Sequence, residues 1–560
     1  MNRKTGSLLA AVLGSGVVSL DASDVTVALP RIGRELHSSV FGILEGQSYI
    51  YNGYSLALSA LLVLAGALND FYGRRRVFTA GVAAFGLSSI LAGLAPNMEL
   101  LVLFRVLQGA AGAFLTPASL SLITAAFTGE EQGRAFGLWS AAAAVISTLG
   151  PFVGGLLVDT VSWRMVFLIN VPLVAGALWI ARQYVPESRD DEATGQFDVL
   201  GAVVAGVAVG GLAFGAIYGQ QREWRDPLAF VMLAVGAGGA VLFPFLMMRS
   251  PHPLVPLELF RSRNFTVTNL STFVIYGALS VVFYYLTLFM QGTLGYSAAA
   301  VGLAYIPEVC FLVLFSSRFG TLASRYGPRW FMAVGPVVMA VGVLLWARAP
   351  AQSQAWLFRP GAPATFVPPY SYVTDFLPGL VVFGIGIMIM VAPLTTALMT
   401  SLPVRRSGVG SAINNAISEV GPQLAGALIF VAITAGFYTH LAALVPGLDT
   451  SSAAVRRDIA PLNPPPAGTD VAEAAAIRDA STRAFHLAML IGAALLVGGA
   501  VINAIGIQPR SALKPAEVVS AHPHWKRSCA LAQVTGPDGK ERNRVPPRRS
   551  AGDQMEIPAQ

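Results

Sequence analysis

The apolar residues of this chain gather in runs of about 20, the length at which an α-helix crosses the hydrocarbon of a bilayer. Fourteen such runs can be marked, near 8–30, 48–69, 77–95, 100–124, 134–158, 164–184, 199–219, 228–248, 266–290, 298–322, 330–347, 375–400, 408–437 and 485–507. No water is available in a bilayer core, so each crossing segment must satisfy its own backbone N–H and C=O groups, and a run of this length does so as a helix. Composition agrees, with 54% of the 560 residues apolar and only 12% charged, where soluble domains carry about a quarter. The chain is predicted to be an all-α polytopic membrane protein with fourteen spans. The run at 330–347 is short and interrupted by Pro336. The first run follows Arg3 and Lys4 as a signal peptide would, but it has no small-residue cleavage pattern and holds two aspartates, so it is read as retained.

Charge placement sets the expected orientation. With the N-terminus inside, 25 of the 37 lysines and arginines fall on the inner side and 11 outside, while Arg105 lies within a span. Both termini are therefore expected in the cytoplasm, and the net charge of +7 is topological rather than a sign of a nucleic acid partner. An outer loop at 438–484 mixes Pro464–Pro466 with acids and arginines and is expected to be an exposed excursion. The tail at 511–560 is rich in Pro, Arg and Ser without apolar period, which predicts disorder. It is either simply solvated or in touch with anionic lipid headgroups.

Several function classes are excluded by what the sequence lacks. There is no GxxxxGK[ST] loop to cradle a nucleotide and no soluble domain to carry one. Two cysteines and six scattered histidines form no metal-ligand spacing, and His522-x-His524 lacks partners, so no metal, no cofactor and no enzymatic activity are expected. Secondary transport remains, and it predicts internal repeats within the membrane. A repeat is present. Gly66, Asp70, Gly73, Arg74 and Arg75 follow the second span, and Gly320, Arg325, Gly327 and Arg329 follow the tenth, both fitting G-x-L-x-x-x-x-G-x-R at equivalent turns. Asp70 is placed to cap the next helix or to pair with an arginine.

With these residues in view, the chain resembles the major facilitator superfamily, and within it the fourteen-span drug:proton antiporter group. The Gly66–Arg75 turn is similar to that superfamily's inner-loop motif, with Phe71 where a basic residue is usual and Ser324 in the second copy where an acid often stands. Arg105-Val-Leu-Gln108-Gly109 resembles the RxxQG motif of the fourth span. Gly150, Pro151, Gly154 and Gly155 resemble the GPxxGG motif of the fifth, associated with antiport. Leu20 through Pro30, Trp163 through Pro172, and Gln291 through Ser297 resemble segments of the fourteen-span group. The resemblance implies a major facilitator fold of two six-helix bundles, 1–185 and 251–510, joined by two additional transmembrane helices within 186–250. It also implies export of amphipathic organic compounds in exchange for protons by alternating access. The alternatives left open are a metabolite or nutrient carrier on the same fold and a non-transporting membrane sensor.

Candidate site residues follow from polar groups inside spans, which are expensive unless they face protein or water. Asp21 and Asp24 are one turn apart on the same face of the first span; a solvated helix end is the competing reading for both. The resemblance gives Arg105 a coupling role against a first-span carboxylate, with snorkelling as its alternative. Glu308 follows Pro307 in the tenth span. Glu419 forms a polar stripe with Asn415 and Gln423 at i−4 and i+4, where the resembled family usually has an amide at the Glu419 position. These five charged residues are the proton-coupling candidates. Tyr49, Asn52, Tyr54, Gln108, Tyr284, Tyr285, Gln291, Asn415 and Gln423 are candidates for a substrate cavity, and Tyr276 a further one, since polar-tipped aromatics suit amphipathic compounds. Tyr49 and Tyr276 equally fit an interfacial belt. The expected partners are a small-molecule substrate, protons and membrane lipid, with no nucleic acid or nucleotide, for a monomer in a bacterial plasma membrane.

Overall fold

The computed structural model describes residues 2–36, 43–188, 197–222, 224–359, 361–452, 455–456, 459–466 and 468–508. The tail expected at 511–560 lies outside them. Fourteen helices long and apolar enough to cross a membrane account for the fourteen runs, and no strand occurs among the described residues. In chain order they are α1 (Arg3–Glu35), α2 (Ile43–Tyr72), α3 (Arg74–Gly93), α4 (Met98–Ala126), α5 (Gly129–Thr160), α6 (Asn170–Tyr184), α7 (Val199–Gln221), α8 (Pro227–Arg249), α9 (Arg263–Leu288), α10 (Ile306–Tyr326), α11 (Arg329–Trp346), α12 (Leu377–Thr400), α13 (Ser407–Leu444) and α14 (Val471–Gly506). Pro336 does not break α11, because neighbouring helices in a bundle re-satisfy the carbonyl it frees.

Helix ends are fixed by ordinary capping chemistry. Asn2, Asn97, Asp198, Ser262 and Asp470 each accept a hydrogen bond from a first-turn amide of the helix they precede. Asp470 also explains one departure from expectation. The excursion predicted at 438–484 is confined to 445–470, because α13 runs on to Leu444 and the alanine-rich segment from Val471 forms helix under the Asp470 cap.

In the N-terminal half, α1 packs on α4, α5 and α6, and α4 on α2 and α3. In the C-terminal half, α9 packs on α13 and α14, and α11 on α12 and α14. The two intervening helices are unequal. α7 rests on both α2 and α13, whereas α8 packs mainly on α7 and exposes Val231, Val241, Phe245 and Met248. A helix apolar on its outer face in this way suits lipid contact.

Two apolar clusters run through the N-terminal half, the first of them extending to Phe265, Leu398 and Val409 of the other half. The first contains Val17, Val18, Tyr54, Phe85 and Ala111, and the other Val25, Ile50, Ala92, Leu101 and Phe167. The seam between them is polar, and there the first-span aspartates lie.

Candidate functional site

Asp21 of α1 is fully buried and meets three partners from two other helices. Its Oδ2 pairs with Nη1 of Arg105 on α4. Its Oδ1 accepts from Gln108 Nε2 at 2.8 Å and from Asn170 Nδ2, on α6, at 3.1 Å. Gln108 closes the ring, since its Oε1 accepts from Arg105 at 2.8 Å. Ser89 of α3 accepts from Gln108 and Asn170, both at 3.1 Å, and donates to Phe167 O at 2.8 Å. Arg105 Nε donates to Ile50 O at 3.2 Å, and the guanidinium lies 4.1 Å from the Tyr54 ring centroid. A buried charge is tolerable when paired and hydrogen-bonded, and here both charges are. The solvated-end reading of Asp21 and the snorkelling reading of Arg105 do not describe these positions.

The flanking motif residues set helix spacing. A Cβ on Gly109 would lie 2.2 Å from Tyr54 O, so this glycine lets α4 touch the α2 backbone beside Arg105. A Cβ on Gly150 would fall 2.0 Å from Ser23 Oγ, and one on Gly154 would fall 2.7 Å from Asp24 Cβ. The glycines of α5 thus press on α1 at the aspartate pair. Gly155 faces open space and takes no part in that contact. The helix runs through position 151.

Asp24 is 1% exposed, and neither of its carboxyl oxygens has a hydrogen-bond partner. Glu419 of α13 belongs to the other half. It lies in electrostatic range of Tyr51, Tyr54 and Tyr276, and Tyr54 is also in range of Asp21, Asp24 and Arg105. The α2 tyrosines therefore stand between the charged ring of one half and the acid of the other. On the same stripe, Asn415 Nδ2 and Gln423 Oε1 are buried without a protein partner.

Other candidates are placed elsewhere. Glu308 is buried under α12, with its Cα 2.9 Å from where a Gly384 Cβ would stand, and Tyr305 beside it hydrogen-bonds Thr287 at 3.0 Å. Tyr285 is packed in the core of the C-terminal half, Tyr284 is half-exposed, and Gln291 is exposed just past α9, so these three do not join the charged ring. Tyr49 and Asn52 are half-buried on α2. Three site residues were not anticipated: Ser89, Asn170 and Tyr51.

The duplicated turns join helices rather than line the site. Gly73 and Gly327 both adopt positive φ, 107° and 91°, a backbone region in which a side chain would be strained. The repeat extends to the arginines: Arg75 donates to Val185 O beyond α6 at 3.4 Å, and Arg329 to Ala504 O near the end of α14 at 2.8 Å. Arg325 stands 5.5 Å from the Tyr326 ring. Asp70 crosses between the halves. Its two oxygens accept from Gly408 N at 3.0 Å and Val409 N at 2.9 Å, at the start of α13, while Arg74 bonds Asp70 and Val404 O. A Gly66 Cβ would lie 2.3 Å from Ala412 Cβ. Among the described residues no such charged contact is seen across the symmetry-related seam, α5 on α10. A Gly320 Cβ would lie 2.1 Å from Gly133 O, and Ser324 Oγ, where the second copy lacks an acid, is buried without a partner.

Two helical halves, one with a charged ring buried inside it, are joined by hydrogen bonds at one end, an arrangement that fits a membrane transporter. The chain belongs to the Major Facilitator Superfamily, whose family model matches residues 11–427. It is 34% identical over 450 residues to the multidrug resistance protein Stp of Mycobacterium tuberculosis (strain CDC 1551 / Oshkosh), covering 79% of this chain and 78% of that one. It is 30% identical over 426 residues to the tetracenomycin C resistance and export protein of Streptomyces glaucescens, covering 76% and 75%. It is 31% identical over 445 residues to the puromycin resistance protein pur8 of Streptomyces alboniger, covering 79% and 84%. Among solved structures, the human organic anion transporter MFSD10 matches with a TM-score of 0.53 at 12% identity, over 88% of this chain and 98% of that one. That likeness speaks to the fold, and the fourteen spans fit the fourteen-span drug-efflux group.

Proposed function

We propose that this transporter exports amphipathic organic compounds in exchange for protons by alternating access, as a monomer in the plasma membrane with both termini in the cytoplasm. The observation that carries the reading is the ion pair of Asp21 and Arg105, buried to 0% exposure between helices of one half. A buried pair costs desolvation that packed apolar residues would avoid, which argues that its charges serve coupling rather than stability. Relatives that carry resistance and export in their names support the direction and the kind of cargo. The stripe of Glu419, Asn415 and Gln423 beside Tyr51, Tyr54 and Tyr276 supplies the recognition chemistry: an acid for a cationic group, amides for hydrogen bonds and aromatic faces for a ring system.

The test is dye efflux from vesicles containing the purified protein under an imposed pH gradient. Efflux is expected to stop when a protonophore collapses the gradient with ATP held constant. Export that continues would sink the exchange reading, and dye that moves only inward would turn the assignment to an uptake carrier.

A further inference from the structure

We propose that Asp24, not the ion-paired Asp21, takes up and releases the coupled proton, and that the Gly150–Gly154 face of α5 is the gate that covers it. This deepens the proton-exchange reading above and rests on it.

The two aspartates differ in what surrounds them. Asp21 has an arginine, a glutamine amide and an asparagine amide on its oxygens, a set of donors that suits a permanent carboxylate. Asp24, one turn further along α1, has no donor on either oxygen and is 1% exposed. An ionised carboxylate so placed would be bare in a medium of low dielectric, at a cost that a neutral acid escapes. The charged groups that act on it are Asp21, which disfavours a second negative charge, and Arg105, which favours one but is already engaged by Asp21. Tyr54 is a further titratable neighbour. On α5 the position facing it is Gly154, while Gly150 faces Ser23, whose Oγ turns back to Ser19 O and Leu20 O rather than toward the acid.

The gate follows from that packing. Gly154 would place a Cβ 2.7 Å from Asp24 Cβ and 3.1 Å from its Cα and O, so α5 lies directly on the backbone of the acid. While α5 stays there, water has no room at the carboxyl and the proton is held. When α5 parts from α1, water enters, the carboxyl gives its proton to that water, and the resulting anion is solvated. Closing α5 again requires the carboxyl to recapture a proton first. Because α5 also packs on α10 of the other half, the movement of the halves acts on the helix that covers Asp24, and proton movement is tied to it.

Infrared difference spectroscopy on the reconstituted full-length protein tests the inference. A buried protonated-carboxyl band should be present in wild type, lost in Asp24→Asn and retained in Asp21→Asn. Asp24→Asn, which mimics the neutral acid, should remain as thermally stable as wild type and bind a fluorescent cationic dye within about threefold, since one hydrogen-bond partner is neither gained nor lost. Dye-induced proton release into weakly buffered solution should vanish in that variant. Gly154→Ala should speed hydrogen–deuterium exchange of the carboxyl, whereas Gly155→Ala, whose Cβ meets nothing, should leave it unchanged. A band that survives Asp24→Asn, or undiminished proton release by that variant, overturns the proposal. If wild type moves dye without moving protons, the exchange reading falls instead, and the infrared band still decides whether Asp24 holds a proton.

Discussion

At the scale of single residues, Arg105 carries the most. Its guanidinium serves Asp21, Gln108, Ile50 O and the Tyr54 ring at once, so no smaller or less planar group can replace it. Arg105→Ala is expected to cut gradient-driven efflux at least a hundredfold and to destabilise the half by about 3–5 kcal/mol, because Asp21 is left buried without its counter-charge. Arg105→Lys should recover part of the stability and little of the transport; full activity of Arg105→Ala in the vesicle assay would move the role elsewhere. Glu419 makes a contrasting case. Glu419→Gln keeps volume and hydrogen bonding and removes only charge, so efflux of a cationic dye should fall about tenfold or more while a neutral dye is affected less, the loss of a charge-assisted contact. Equal rates for both dyes in both proteins, at matched expression, would return Glu419 to a packing role. Asp21 and Arg105 stand out in the sequence as charged side chains inside apolar runs, whereas Gln108, offered there as a cavity residue, lies in their hydrogen-bonded ring. Ser89 does not stand out. Serines in membrane helices usually bond their own preceding turn, as Ser88 does to Ala84 O, and nothing in the sequence distinguishes the neighbour that turns to Gln108 and Asn170.

At the scale of helices, the glycine motifs are spacing devices whose consequences differ by position. Gly109→Ala would drive a methyl to 2.2 Å from the Tyr54 carbonyl, an atom that cannot swing away, and should cost transport along with stability. Gly155→Ala should be silent in both, and a thermal melt of the two variants side by side checks the contrast. The sequence pairs Gly154 and Gly155 as neighbours in one motif. Only the rotation of α5 about its axis, which depends on packing against α1, decides which of them is in contact. The same limit applies to Tyr284, Tyr285 and Gln291, grouped by span in the sequence and dispersed by the facing of α9. The far end of α1 adds a pH-sensitive clamp. Glu35 accepts from Arg31 at 2.7 Å and from Trp163 Nε1 at 2.9 Å, and the Arg31 bond holds its carboxyl below the usual glutamate value of 4.5. A lowered value means that the clamp's contribution is present above pH 4.5 and lost as the pH falls through the folded-state value. Because the group is largely exposed, the effect is small. Wild type should lose slightly more melting temperature than Glu35→Gln across that acid window, and parallel curves would remove Glu35 from the account.

At the scale of the molecule, the hydrogen bonds between the two halves gather at the arginine-rich end. Asp70 holds the first amides of α13, Arg74 holds Val404 O, Ser411 bonds Pro117 O at 3.1 Å, and Ser316 bonds Gly137 O at 2.9 Å. The structure is thus closed at that end, and alternating access requires the same contacts to break. Of the two seams, the one on α2 and α13 is secured by a carboxylate at a helix N-terminus, where the dipole favours negative charge. The seam on α5 and α10 relies on close glycine packing and the neutral Ser316 bond, with Ser324 unpartnered. The charged seam is therefore the one whose strength a single atom change can lower without disturbing fit. Asp70→Asn keeps the shape and one acceptor oxygen but loses the charge-assisted bond to the second amide, worth about 1.5–3 kcal/mol. Each 1.4 kcal/mol shifts an equilibrium tenfold, so the population open at the arginine-rich end should rise by at least an order of magnitude. Ser411 reports the change, since it is fully buried in the seam and becomes reachable only when the halves part. In inside-out vesicles, a cysteine introduced as Ser411→Cys should react with a membrane-impermeant alkylating reagent about tenfold faster in the Asp70→Asn background than without it. The same cysteine in right-side-out vesicles should stay protected, which checks at once that the arginine-rich end faces the cytoplasm. Equal alkylation rates in the two backgrounds would show that Asp70 does not hold the closed state, and would leave the glycine contacts and the remaining hydrogen bonds of the two seams as what keeps that end shut.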